Sequence, residues 1–525
     1  MKPSTFSLVC SLVRLSSALY VPVTVERRDS KSPSFALPSD VGIPFTSGQN
    51  SLATTTSNQP TIQNDHNLLY QTQINIGGQD ITVQVDTGSS DLWVFSEKPI
   101  NNFNQSEAQP VNISYGLGSA SGPVGFAPVS LGSYTVESQA FINATSFTVF
   151  PQSLFPQGVF GILGLGFNTL DGISPLASAV AKAYPDTLTL GQSTIANIFQ
   201  QNSSLPNYIS ILLGRANDID GVTNGVFTIS ELVSGYENIT QTPKLDRFVT
   251  DGAGSRWSVL LDGVSVNGQN VTLSSGTGTD KGVAQGQAVA VLDTGATDGS
   301  IPKVLVDAIY SGMPGAVFNE TSKQWIVPCN STADVRFVFG GQEIAIHPLD
   351  LATPQQISTS SGTLTTCIAS YVELDLGSGF AGFDMLLGDA FLRNVYALFD
   401  YGQLSSSATT VSDAFIQLLP RTDPQLAVQD FESSRQTVLK TAPKEATAEQ
   451  VRESLGSAAG SDEGAGDGDG DSGAGTPSGS GSAAPEPSSS SGAKRVGAGR
   501  GFVGGVGAMW SVFGLVTCLS YFGFP

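Results

Sequence analysis

The chain has 525 residues, only 13% of them charged, with a formal net charge of −21 and a pI near 4.3. That balance argues against nucleic acid as a partner and suits an acidic exterior, where partial protonation relieves self-repulsion. His66 and His347 are the only histidines, which excludes a His-based triad; neither has a metal-ligand companion nearby, so no metal and no cofactor are expected.

At the N-terminus, Lys2 precedes the apolar stretch Phe6 to Val13 and a small-residue site at Ser16-Ser17-Ala18. Residues 1–18 therefore read as a signal peptide, although Arg14 closes its apolar run early. Val25-Glu26-Arg27-Arg28 ends in a dibasic pair suited to proteolytic processing. Residues 19–65 are expected to be a propeptide, and the Ser/Thr/Pro/Asn-rich span from Ser30 to Gln63 to be mostly irregular.

The run Ile81-Thr82-Val83-Gln84-Val85 alternates as a strand does and ends on Asp86-Thr87-Gly88-Ser89. Further on, Tyr115-Gly116-Leu117-Gly118 places an aromatic residue and two glycines in a strand-turn-strand setting, which reads as a mobile hairpin tip or an ordinary hairpin. Ile162-Leu163-Gly164 follows, 78 positions beyond the first Asp when counted to its Gly. Then the apolar Val289-Ala290-Val291-Leu292 ends on Asp293-Thr294-Gly295-Ala296, 207 positions after the first copy, and Leu386-Leu387-Gly388 follows it in turn. A single Asp-Thr-Gly is ordinarily a turn. Two copies, each delivered by a strand and each with an apolar-apolar-Gly partner, point to a facing pair of carboxylates.

The chemistry of such a pair is specific. Gly88 and Gly295 let the backbone approach and aim an N–H at the carboxylate, while the Thr87 and Thr294 hydroxyls can bond across to the other copy. Carboxylates about 3 Å apart cannot both ionise easily, so they share one proton over a broad acidic range. The ionised member can take a proton from an intervening water while the protonated member hydrogen-bonds a peptide carbonyl.

On these residues the chain resembles the pepsin-like aspartic proteases, over roughly Leu68 to Leu419. Tyr70 to Val94, Ile113 to Ser119, Gly161 to Phe167, Trp257 to Asn267 and Leu386 to Tyr401 all contribute to the match. The resemblance implies an all-β, bilobal fold with pseudo-twofold-related lobes, here 66–245 and 246–420, and an active-site cleft between them. It implies catalytic roles for Asp86 and Asp293, supported by Thr87, Gly88, Ser89, Thr294 and Gly295. It makes Tyr115, Gly116, Leu117 and Gly118 a flap that closes over substrate, with the Tyr115 hydroxyl bonded to the Trp93 indole.

Three positions depart from the family pattern. Leu117 replaces a frequent polar residue at the flap tip, which tilts preference mildly toward apolar substrates. Ala296 has nothing to donate where the first copy has Ser89, so Asp293 should lose a hydrogen bond and the pKa of the pair should rise. Retroviral aspartic proteases resemble this copy in having Ala there. Asp298 replaces an apolar residue and reads as a turn residue rather than a substrate contact.

Length alone suggests three or four domains, but two lobes and long appendages use the chain up. Cys10 and Cys518 lie in terminal segments open to removal, leaving Cys329 and Cys367 as one disulfide or two buried thiols. The resembled family has a disulfide in this part of its second lobe. Closing that loop would contribute roughly 3 to 4 kcal/mol. Eight Asn-X-Ser/Thr sequons, at Asn104, Asn112, Asn143, Asn202, Asn238, Asn270, Asn319 and Asn330, fit a secretory route and glycosylation.

Beyond Leu419 the composition shifts. Residues 421–492 are expected to form a low-complexity acidic stalk, with a short polar helix at Lys444 to Leu455 and Gly/Ser/Ala/Asp-rich sequence from Gly456 to Gly492. Residues 493–525 read as a removed GPI-anchor signal. Small residues with attachment at Ser491 lead to a polar spacer carrying Lys494, Arg495 and Arg500, and then to 25 uncharged residues. The alternative is a transmembrane helix.

Lobes on an anchored stalk resemble, by architecture, the fungal yapsin-like surface proteases. The expectation is a monomeric aspartic endopeptidase acting on protein or peptide substrates, held to the membrane by a lipid anchor or transferred to the cell wall. A catalytically inactive pepsin-like binding or structural glycoprotein is the alternative.

Overall fold

The computed structural model describes residues 59–459, apart from residues 66, 117, 168–173, 217–223, 250–255, 277–281, 321, 360–361, 375–381 and 405–410. The signal peptide, the dibasic site, His66, Leu117 and the GPI signal with Ser491 fall outside the described residues.

Burial alternates along the strands Val111–Ser114 and Val335–Phe339, which turn every second residue to the core. The central Ala288–Leu292 is buried at every position, as its unbroken apolar run requires. A sheet of 13 strands begins at Leu245–Asp246 and crosses Phe415–Pro420, Val395–Asp400, Tyr208–Leu212 and Gly225–Ile229 before reaching Thr61–Asp65 and Leu69–Ile76. It continues through Gln79–Asp86, Gly161–Gly164, Leu92–Val94 and the Tyr134–Asn143/Val124–Leu131 pair to Asn104–Gln105. The second half has a five-stranded sheet around Ala288–Leu292 and two four-stranded sheets. The expected all-β, two-lobed architecture is borne out.

One arrangement occurs twice. Gly161–Gly164 lies parallel to Gln79–Asp86 and antiparallel to Leu92–Val94. Met385–Leu387 likewise lies parallel to Ala288–Leu292 and antiparallel to Gly299–Ile301. Each strand that carries an Asp therefore leans on the apolar-apolar-Gly strand of its own half. Between the halves Trp257 is fully buried against Phe167, Phe399 and Tyr401, and its indole N–H donates to the Leu165 carbonyl at 2.9 Å.

Three boundaries differ from expectation. Thr61–Asp65 is a strand paired with both Gly225–Ile229 and Leu69–Ile76, so the folded body begins ahead of residue 66. Leu245–Asp246, at the expected lobe junction, pairs with Phe415–Pro420, so both halves share the large sheet. The segment assigned to a stalk instead starts with an unexpected helix, Pro424–Thr441, followed by Ala448–Ala459, which overlaps the short helix expected at Lys444 to Leu455. Asp423 caps the first by accepting from the Gln425 and Leu426 amides, and Pro424 stands at its first turn, where a missing N–H costs nothing.

These helices pack on the second half. Arg435 is buried and donates to Cys367 Sγ and the Ala352 carbonyl, each at 2.8 Å. Glu445 accepts from the Cys329 amide at 2.6 Å, and Val451 joins a cluster with Val317 and Ile326. Cys329 and Cys367 form the disulfide, with Cα atoms 5.0 Å apart.

Candidate active site

The Asp-bearing loops meet at the junction of the halves. Each threonine reaches across: the Thr87 amide donates to Thr294 Oγ1 at 3.1 Å, and the Thr294 amide to Thr87 Oγ1 at 2.9 Å. Each hydroxyl donates in turn to the opposite strand, Thr87 to the Leu292 carbonyl and Thr294 to the Val85 carbonyl, both at 2.8 Å. Both threonines are fully buried, so this reciprocal set fixes one loop against the other with no unsatisfied group. Glycine is required beside it: a Cβ on Gly88 would lie 2.3 Å from the Asp293 carboxyl, and one on Gly295 2.4 Å from Asp86 Oδ1.

The two carboxyls are held differently. Asp86 accepts from the Gly88 amide at 2.8 Å and from the Ser89 hydroxyl. Asp293 accepts from the Gly295 amide at 2.7 Å, and Ala296 offers nothing further. Burial first, then the charge of Asp86 and the hydrogen bond between the two carboxyls, raises Asp293 well above the usual carboxylate range; the Gly295 amide and the Arg256 charge oppose this less strongly. The protonated form is thus favoured at Asp293, the carboxyl with one donor fewer. Such a pair can accept a proton from water at one oxygen and donate one to a carbonyl at the other.

Tyr115 stands in the hairpin between Val111–Ser114 and Ser119–Gly122, its amide donating to the Gly118 carbonyl at 2.9 Å. Gly118 has φ +76° and its Cβ position lies 2.3 Å from the Thr148 carbonyl, so only glycine fits this turn. The expected bond from Tyr115 to Trp93 is not formed: the Tyr115 hydroxyl and the Trp93 indole N–H are buried without a hydrogen-bond partner. Both rings pack instead on Phe150, Trp93 stacked at 5.2 Å and Tyr115 edge-on at 5.7 Å. Burial and the charges of Asp86 and Asp91 push the hydroxyl well up, against weaker opposition from Trp93 and Ser89, whose approach falls short of hydrogen-bond geometry. It stays neutral, near enough to Asp86 to feel its charge.

Several neighbours escaped the sequence reading. Asp91 is buried, accepting from Ser174 Oγ at 2.6 Å and the Leu176 amide at 3.3 Å, so it holds the start of helix Pro175–Ala183. Asp389 is fully buried with both carboxyl oxygens unpartnered, and burial raises it well above the usual range. Its amide donates to the Ala296 carbonyl at 2.8 Å, directly behind the second loop. A signal existed for both: in a chain this poor in charge, an acid inside Asp91-Leu92-Trp93-Val94 or after Leu386-Leu387-Gly388 is conspicuous. Among the sequons, Asn104, Asn112, Asn238, Asn270 and Asn330 are exposed, and Asn143 and Asn202 half-buried. Asn319 is buried, its Oδ1 accepting from the Ser322 amide at 3.3 Å, which disfavours a glycan there.

Asp91 gives a pH-dependent stability. Burial pushes it up to about 6, against the bonds from Ser174 and Leu176. Its folded value exceeds the unfolded value of about 3.9, so the native state binds more proton in between and loses stability as pH rises from about 4 to 6. At about 1.4 kcal/mol per unit this amounts to roughly 3 kcal/mol. Asp91→Asn should therefore gain stability relative to the unaltered protein between pH 4 and pH 7. Urea unfolding of both at the two pH values checks this, and an equal difference at both would contradict it.

A family model described as eukaryotic aspartyl protease matches residues 69–411. A protein named "Probable aspartic-type endopeptidase" from Aspergillus fumigatus is 27% identical over 369 residues, covering 63% of this chain and 76% of that protein. "Aspartic-type endopeptidase ctsD" of the same fungus is 27% identical over 358 residues, 64% of each chain, so slightly less than two-thirds of that relative is spanned. Penicillopepsin-3 of Penicillium janthinellum is 28% identical over 346 residues, covering 63% of this chain and 75% of that protein.

Proposed function

The chain belongs to the eukaryotic aspartyl protease family and is an aspartic-type endopeptidase; on that premise we propose that it hydrolyses peptide bonds at acidic pH through Asp86 and Asp293. Asp86, stabilised as the anion by the Gly88 amide and the Ser89 hydroxyl, removes a proton from the attacking water. Asp293 hydrogen-bonds the carbonyl and then gives it the proton, so a tetrahedral adduct forms with no covalent link to the protein. Tyr115 belongs to the flap that covers the substrate and keeps water out. The unequal hydrogen bonding of two carboxyls joined by reciprocal threonine bonds carries this reading.

Because Asp293 holds its proton unusually firmly, the singly protonated pair persists to higher pH, and activity should reach into weakly acidic conditions. Cleavage of a mixed peptide library from about pH 3 to 7, with and without pepstatin, checks this. The expected result is pepstatin-sensitive cleavage still strong near pH 5; a sharp fall already by about pH 4 would remove the pH claim, and no cleavage at any pH would remove the reading.

The terminal segments support action outside the cell. A signal peptide over residues 1–18, exposed sequons and a C-terminal GPI signal over 493–525 with attachment at Ser491 fit a glycosylated, yapsin-like protease of the membrane surface or wall. Of the segment assigned to the stalk, residues 424–441 and 448–459 are helical.

A further inference from the structure

Strand Gln79–Asp86, which delivers the first carboxyl, also reaches the loop that carries the second. Gln84 stands two residues ahead of Asp86, is 4% exposed, and donates from Nε2 to the Gly295 carbonyl at 3.1 Å. A glutamine amide is seldom buried this far, and burial costs stability unless a specific partner holds it. Its register partners, Gln71 on one side and Ile162 on the other, are both uncharged. The tie also runs one way: Val291 holds the corresponding place two residues ahead of Asp293 and has no polar side-chain atom to return the bond to the first loop.

The loop that receives this bond is the one with less to hold it. In the first loop the Ser89 hydroxyl bonds Asp86, whereas Ala296 offers Asp293 nothing, so the Gly295 amide at 2.7 Å is the donor that its own loop gives Asp293. Glycine turns freely about both of its backbone bonds, and no side chain is tolerated at 295, where a Cβ would lie 2.4 Å from Asp86 Oδ1 and 3.0 Å from Asp293 Oδ1. Holding the carbonyl of that residue from the opposite half leaves its N–H aimed at Asp293.

We propose that Gln84 is a positioning residue of the cleavage reaction: by holding the Gly295 carbonyl across the junction of the halves it keeps the Gly295 amide on Asp293, in place of the hydroxyl that Ala296 lacks. The inference deepens the endopeptidase reading and rests on it. Gln84 acts through Gly295 and needs no contact with the reacting atoms. Without the tie the amide drifts from Asp293, the Asp293 anion loses its donor, and the proton is held to still higher pH. Asp86 acts on Asp293 in the same direction and the Arg256 charge opposes it, while Asp389 faces the loop from behind.

The test compares the unaltered protein with Gln84→Leu and Gln84→Glu on one peptide that the unaltered protein cleaves, with kcat and KM followed separately from about pH 3 to 7 and thermal unfolding measured alongside. Gln84→Leu keeps the bulk and loses the donor; it should lower kcat about tenfold with KM within about twofold, and move the upper limb of the kcat/KM profile to higher pH. Gln84→Glu can donate to the carbonyl only while protonated, so it should match the unaltered protein at about pH 3 and fall away as the new carboxyl ionises. A Gln84→Leu protein with unchanged kcat and an unmoved limb, or one that loses only thermal stability, would overturn the proposal. A raised KM with unchanged kcat would do the same, since it would make Gln84 a substrate contact. If Gln84→Leu does not fold, a Gln84→Glu protein whose activity relative to the unaltered protein stays flat across this range overturns the proposal instead. Failure of the unaltered protein to cut any peptide would overturn the endopeptidase reading and this inference with it.

Discussion

Asp86→Asn and Asp293→Asn should each lower peptide cleavage on the order of 10,000-fold while leaving the fold intact. Asparagine keeps the size of the side chain and can still accept from the Gly88 or Gly295 amide, so the loop geometry and the threonine bonds survive. What disappears is proton transfer: a single acid cannot be base and acid in the same step. The two variants should differ in stability. Asp293 has a raised folded pKa, so its contribution to stability is present at low pH and lost as pH rises through its folded value. Asp293→Asn removes that loss and should unfold at a higher temperature than the unaltered protein at neutral pH, with little gain in acid. Peptide turnover and thermal unfolding at acidic and neutral pH check both statements. Substantial cleavage by either variant would refute the assignment of the pair.

What was legible in the sequence was what is local to it. Asp86 and Asp293 end apolar strands and are followed by Thr-Gly, and these few residues specify strand, turn and carboxyl together. The apolar-apolar-Gly partners were legible because close contact forbids a side chain: a Cβ on Gly388 would meet the Ala296 and Asp298 carbonyls at 2.3 Å. Asp91 was conspicuous as an acid beside an apolar run, but its role was not legible, since the hydroxyl and amide that hold it come from Ser174 and Leu176, more than eighty positions away. Thr61–Asp65 reads as an irregular polar segment until Gly225–Ile229 supplies its pairing. Helix Pro424–Thr441 did announce its start with Asp423-Pro424, but its apolar face is narrow, and the shift in composition outweighed the cap. Trp93 and Tyr115 were placed together correctly; their bond was not, because Phe150 gives both rings an aromatic partner that no spacing in the sequence reveals.

The largest loss of stability is expected far from the carboxyl pair, at Asp350. This residue is 1% exposed and meets two guanidiniums: Arg215 Nη2 at 2.5 Å and Arg393 Nε at 2.7 Å, with Asn394 Nδ2 adding a bond at 3.0 Å. Arg393 also donates to the Asn67 carbonyl at 3.1 Å, so the cluster ties the start of the first half to the second. Burial alone would push Asp350 up, but the charges of Arg215 and Arg393 outweigh it and hold the carboxyl far below the usual range. With a lowered folded pKa, its stabilisation is present above the unfolded value of about 3.9 and is lost only as pH falls through the much lower folded one. The cluster thus persists in acid that neutralises ordinary surface carboxylates. Asp350→Ala leaves two guanidiniums buried without their anion and should cost about 3 to 5 kcal/mol. Against a total of about 5 to 15 kcal/mol, that brings the chain close to unfolding. Asp334→Ala is the control: its ion pair with Arg336 is half-exposed at 3.0 Å, and its loss should cost under about 1 kcal/mol. Urea unfolding of both variants near pH 5 measures the contrast. A loss at Asp350 no larger than at Asp334 would mean that the desolvated cluster is no better than neutral and that the halves are joined mainly by apolar packing around Trp257.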